Sequence, residues 1–348
     1  MSNNVLVIGN GFDLAHNMET TYNHFIEYVK NLEYKNDDLL DDLEKEEFDK
    51  IVENNGFIKY FLNFLMSVPG WVDFEREIYR ITTQFKKFFD SSKEMFLSNN
   101  RLSKTNSGEL LVAVLNNFGI VKIIELNIII EPRFYSSKYG INKREILKEL
   151  KLHLNELIRG LELYLEICQR KFEKEVVNAS KVIKQIKEIK PIYVISFNYT
   201  DTYKIYNIAE HKVSHIHGKI GEKNIVLGVD DKTPQDLDFI YFKKYFQRIQ
   251  KGTDLVDWTD LVRYIDGYEE SPLIHFYGHS MDKTDEDIIR ELKGLAEGFV
   301  IYIYNQEDYE QKVVNLIDIF GKKEAVEMIQ TDFIQFVKCD NEILEVNK

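Results

Sequence analysis

The chain has 348 residues, more than one typical domain, which fits either two compact units or one α/β domain carrying a large insertion. Hydrophobic residues make up 44% and aromatics 13%, with 23 Phe and 20 Tyr, enough apolar material for a buried core and incompatible with a disordered chain. A net charge of -13 argues against nucleic acid as a partner, because phosphate-backbone binding needs clustered Lys and Arg.

The two cysteines, Cys168 and Cys339, make neither a four-Cys zinc site nor a disulfide framework. No basic-then-apolar leader precedes the first strand, and no apolar run reaches the roughly 18 residues of a membrane span. A cytoplasmic protein with reduced thiols and no membrane partner is therefore expected. The sequons Asn178-Ala-Ser180 and Asn198-Tyr-Thr200 are then chance matches.

In chain order, Val5-Leu6-Val7-Ile8 is apolar on both faces, as a strand covered on both sides in a parallel sheet is, and it ends at the turn Gly9-Asn10-Gly11. From about 31 to 189 the rhythm is mostly helical. Trp71, Phe74, Ile78, Ile81, Phe85 and Phe88 recur at spacings of three and four, as do Ile146, Leu150, Leu154, Leu157, Leu161, Leu165, Cys168 and Phe172. Both stripes read as core-facing helix surfaces without chemistry. Val121 to Ile130 fits a strand or a buried helix segment.

After 190, short apolar runs at 193–195, 213–216, 225–227, 273–276, 299–303 and 333–337 alternate with helical patterns at about 201–209, 284–292 and 307–318. Such alternation predicts right-handed crossovers and a parallel sheet. The expected fold is α/β, a Rossmann-like parallel sheet from 1–30 plus 190–348, with 31–189 as a mainly helical insertion.

Ligands of open parallel sheets bind beyond the carboxyl ends of the strands. Four clusters follow strands there. Gly9-Asn10-Gly11-Phe12-Asp13 reads either as a phosphate loop opening a helix or as a plain tight turn; Leu14 stands where G-x-G-x-x-G wants its third glycine. In Ser196-Phe197-Asn198-Tyr199-Thr200, Asn198 suits fixing a ribose or a water, or capping a helix. His215-Ile216-His217-Gly218 places both histidines on one face of a strand, as catalytic base or as structural side chains. Tyr277-Gly278-His279-Ser280 and Tyr304-Asn305 suit a ribose or adenine, although a glycine turn explains them nearly as well. Zinc at His215 and His217 lacks Cys or carboxylate partners at ligand spacing.

The segments Leu6-Val7-Ile8-Gly9-Asn10-Gly11-Phe12-Asp13-Leu14, Trp71-Val72-Asp73-Phe74-Glu75, Ser196-Phe197-Asn198-Tyr199-Thr200 and His215-Ile216-His217-Gly218 resemble the AbiH family of phage abortive-infection proteins, over residues 5 to about 305. More distantly, the same clusters resemble the sirtuin-type NAD fold, including the 19-residue spacing from Asn198 to His217.

The sirtuin resemblance implies NAD as substrate or ligand, Asn198 holding the nicotinamide ribose and a water, and His217 acting as base. Gly9, Asn10, Gly11, Phe12 and Asp13 would face the phosphates or nearby ribose, and Gly278, Ser280 and Asn305 the adenosine half. The chain cannot supply the four-Cys module of sirtuin deacetylases, so deacetylation is disfavoured. The two resemblances together imply an antiphage effector that hydrolyses NAD to nicotinamide and ADP-ribose. The alternative is a non-catalytic sensor of NAD or a related nucleotide that signals to a partner through the helical insertion. Self-association is left open.

Overall fold

A computed structural model of the chain describes residues 3–65, 73–98, 100–176, 181–229, 237–253, 271–340 and 343–345. Trp71 of the first stripe, Val72, and the sequon at 178–180 lie outside the described residues.

Six strands form one parallel sheet: β1 (Asn4–Ile8), β2 (Tyr193–Ser196), β3 (Val213–His215), β4 (Leu273–Tyr277), β5 (Gly298–Ile303) and β6 (Ile334–Lys338). Their order is β3-β2-β1-β4-β5-β6, so the winding reverses between β1 and β4. Register puts Ile8, Ser196 and Tyr277 side by side, with His215 beside Ser196. The chain therefore leaves β1, β2, β3 and β4 at one level of one edge.

Both faces of this sheet are covered, which is why β1 reads as an unbroken apolar run. Val5, Val7, Ile195 and Phe276 pack with Ile288, Ile289, Leu316 and Ile319 from helices Glu286–Leu295 and Gln306–Phe320. Leu6, Ile8, Val194 and Tyr277 pack with Phe12, Ile186 and Ile189 on the other side.

Two runs depart from expectation. Ile225, Val226 and Leu227 are buried but join no strand. The backbone of Leu227 is met instead by the side chain of Gln247, which donates to its carbonyl (2.8 Å) and accepts from its N–H (3.0 Å). The 201–209 helix is a 3-10 turn, Thr202–Tyr206.

Contacts divide the chain into two units: residues 1–20, 165–226 and 248–348, which carry the sheet, and residues 21–164 with 227–247. The division differs from 1–30 plus 190–348: 21–30 and 227–247 belong with the helical unit and 165–189 with the sheet. In the helical unit, Phe74, Ile78, Ile81, Phe85 and Phe88 of helix Phe74–Met95 are all fully buried. The 146–172 stripe is buried along helix Lys143–Val176.

The Val121 to Ile130 stretch is a hairpin, Val121–Ile124 with Asn127–Ile130, in a four-stranded antiparallel sheet. The described part of the Trp71–Glu75 segment is structural: Asp73 caps its helix, Phe74 stacks on Phe61 at 4.3 Å, and Glu75 pairs with buried Lys244 at 2.8 Å. Among the described residues no helix is long and apolar enough to cross a membrane.

Phe85 meets Phe118 edge-on at 5.4 Å in this core. Phe85→Ala should cost about 3–5 kcal/mol of stability, read as a lower urea midpoint; a loss below about 1 kcal/mol would mean the stripe is not a packed core.

Candidate functional site

The glycine turn after β1 lies against the loop after β4. Gly9 N–H donates to Tyr277 O (3.2 Å), Gly11 N–H to Gly278 O (2.9 Å), and Tyr304 Oη to Gly11 O (2.7 Å). A Cβ on Gly11 would sit 2.7 Å from Gly278 Cα, and one on Gly9 2.7 Å from His279 Cα. Gly278 has φ +68°, and its Cβ would fall 2.1 Å from Phe12 N. The glycine that complements Gly9 and Gly11 is thus Gly278 across the sheet, which is why Leu14 does not disturb the turn. The N–H groups of Gly9 and Gly11 that a phosphate loop would offer are already bonded to the β4 loop. Asn10 accepts from Thr20 Oγ1 (2.6 Å), and Phe12 is fully buried.

Asn198 ties the loop after β2 to the same turn. Its Nδ2 donates to Gly9 O and to Asp13 Oδ1, both at 3.0 Å. Both amide protons are committed, so Oδ1 is what Asn198 can offer a ligand as a hydrogen-bonding group. Asp13 is 1% exposed and also accepts from Thr200 (2.7 Å) and Thr202 (2.8 Å). Burial pushes its carboxyl up to about 6, against the opposing pull of Thr200, Thr202, Asn198 and Thr20. Asp13 is therefore a strut between loops, with its oxygens turned to neighbouring side chains.

His215, the last residue of β3, and His217, beyond it, do not share a face. The strand stops at His215, so two-residue alternation no longer governs residue 217. His215 meets Tyr203 (5.7 Å between rings) and places Nδ1 3.1 Å from Asn198 O; burial lowers its basicity. His217 instead packs edge-on to Phe197 at 5.3 Å, with Nε2 3.2 Å from Asp285 Oδ1. His279 Nε2 lies 3.5 Å from Asp285 Oδ2, and its ring packs on Phe197 at 4.3 Å. His217, Asp285 and His279 are each more than nine-tenths buried.

Asp285 is the residue that sequence reasoning missed, and His279, quoted in the fourth cluster, receives no role of its own there. Asp285 precedes helix Glu286–Leu295 and reads as an ordinary acidic cap; its contact with His217 spans 68 positions and leaves no local signal. The other predicted residues have local duties. Ser280 Oγ accepts from Asp282 N–H (3.3 Å), and Asn305 caps helix Gln306–Phe320 through Asp308 N–H (2.9 Å). Gly9, Gly11, Asp13, Asn198, Gly278, His279, Asp285 and His217 form one contiguous set at the carboxyl edge. Ser280 and Asn305 stand beside it.

The family model described as "Bacteriophage abortive infection AbiH" matches residues 5–302, and the chain belongs to that family. No curated protein and no solved structure matches the chain.

Two outcomes follow from the loop contacts. An acid whose folded pKa is raised contributes stability below its unfolded value near 4 that is lost as pH rises through about 6. Asp13→Asn keeps the size and an acceptor, so from pH 4 to pH 7 the variant should gain up to about 3 kcal/mol relative to wild type. Parallel stability–pH curves in urea titrations would contradict this. Gly278→Ala should lose about 1–3 kcal/mol from its left-handed backbone alone, and more from the contact with Phe12. An unchanged melting temperature would rule out the close approach.

Proposed function

We propose that this AbiH-family protein is an abortive-infection effector that binds NAD at the carboxyl edge of its sheet and hydrolyses it to nicotinamide and ADP-ribose. The observation that carries the reading is the placing of a histidine, His217, paired with a buried carboxylate, beside the loops of β1, β2 and β4. A carboxylate behind an imidazole is how proteins hold a histidine in the orientation of a general base. The strand order, with its reversal between β1 and β4, supports a Rossmann-like and sirtuin-like reading of the sheet.

In the proposed reaction, water is held by Oδ1 of Asn198 and gives a proton to His217 as its oxygen bonds to the anomeric carbon of the nicotinamide ribose. The bond from that carbon to the pyridinium nitrogen breaks, and its electron pair leaves with neutral nicotinamide. The released proton passes from His217 to solvent. The pyrophosphate is expected near the β1 turn. Because Gly9 and Gly11 N–H are engaged with the β4 loop, the phosphates draw on groups other than those two amides. Loss of NAD halts the infected cell.

Purified protein incubated with NAD should release nicotinamide, and His217→Ala should lower that release by 10²-fold or more. Equal release from both proteins would remove His217 from the chemistry. Tight NAD binding in calorimetry with no release would replace hydrolysis by sensing through the helical unit, and absence of binding would end the NAD reading altogether.

A further inference from the structure

A chain of contacts runs from a backbone amide to His217. Met281 N–H donates to Nδ1 of His279 at 3.0 Å. With Nδ1 an acceptor, neutral His279 carries its proton on Nε2, 3.5 Å from Asp285 Oδ2. The other oxygen, Oδ1, is 3.2 Å from Nε2 of His217, close enough for electrostatic contact though not aligned as a hydrogen bond. The amide that starts the chain is held in an unusual way: Met281 has φ 57°, the left-handed region, although it is not glycine and its side chain is fully buried. Such backbone is strained for a residue with a side chain and persists only where the surroundings enforce it. Behind His279 stands Gly9, whose missing Cβ leaves room for His279 Cα.

We infer that Met281 N–H, His279 and Asp285 form a positioning relay that fixes the tautomer and orientation of His217. The inference rests on the reading of His217 as the base. In the relay His279 is not a second base: its Nδ1 is occupied by Met281 N–H, and its Nε2 carries the proton that faces Asp285. Its part is to hold Oδ2, so that Oδ1 is presented to His217 in one direction. The carboxylate charge of Asp285 beside Nε2 draws the His217 proton to that nitrogen, which assigns Nδ1 as the nitrogen that takes a proton from water. The direction matters because an imidazole in the wrong tautomer cannot accept that proton. Phe197, edge-on to both rings, prevents either from turning.

The test is nitrogen-15 spectroscopy of the imidazoles in the full chain, without NAD, so that it is independent of turnover. His217→Ala and His279→Ala assign the two signals among the eight histidines. In wild type both rings should be Nε2–H tautomers. In His279→Ala, His217 should become a mixture of tautomers, and His279→Gln, which keeps an N–H donor for Asp285, should restore the single form. Asp285→Asn should give the same mixture.

Where NAD is hydrolysed, His279→Ala should also lower kcat at least tenfold with KM unchanged, the split expected of a group that acts only through the base. A His279 proton on Nδ1 in wild type would overturn the relay without any variant. So would a single unchanged His217 tautomer in folded His279→Ala, which decides the matter even if Asp285→Asn does not fold. Absent hydrolysis combined with the predicted tautomers would refute the catalytic reading and leave the relay standing.

Discussion

Where the loop after β1 crosses the loop after β4, two backbones touch with no side chain between them. Gly11 N–H bonds to Gly278 O, and a Cβ on either residue would overlap the other chain. Neighbouring features depend on this approach. It brings residue 9 against His279, lets Tyr304 reach Gly11 O, and sets the β1 turn where the Asn198 amide can hold Gly9 O. Only glycine permits it at Gly278, whose φ is +68°. A larger residue would push the loops apart and separate the β2 loop from the residues around Asp285.

Two buried carboxylates then do different work within a few residues of that contact. Asp13 is surrounded by the neutral donors Asn198, Thr200 and Thr202, with no cation among its hydrogen-bond partners, so burial outweighs the donors and raises its pKa. It holds loops together. Asp285 stands between two imidazoles, one oxygen facing the Nε2 of each, an arrangement suited to orienting a proton acceptor. The polar interior at the carboxyl edge is thereby split into a part around Asp13 and a part around Asp285. The arrangement accounts for the presence of so many buried polar groups beside an otherwise apolar sheet.

Much of this was legible in the sequence because it depends on local pattern. The apolar β1 run, the alternating runs of β4 and β5, and the helix stripe from Phe74 to Phe88 each record burial at short range. The glycine turn was legible as a close approach, but its partner was not: a pattern anchored on position 14 looks along the helix, whereas the real complement, Gly278, lies more than 260 residues away. Alternation puts His215 and His217 on one face only if the strand runs on to 217, two residues past the end of β3. Ile225 to Leu227 has the apolarity of a strand, yet a side-chain amide, Gln247, serves its backbone, something composition does not encode. Asp285 was hidden for the same reason as Gly278, since its importance comes from a contact across the fold.

We propose the edge bearing Gly9, Asn198, His217 and Asp285 as a nucleotide site. A crystal structure of the protein grown with NAD addresses it most directly. The nicotinamide ribose should lie between Asn198 Oδ1 and His217, with the pyrophosphate near the β1 turn. NAD bound elsewhere on the chain, or a fully occupied ligand whose ribose lies beyond hydrogen-bond reach of both residues, would contradict it.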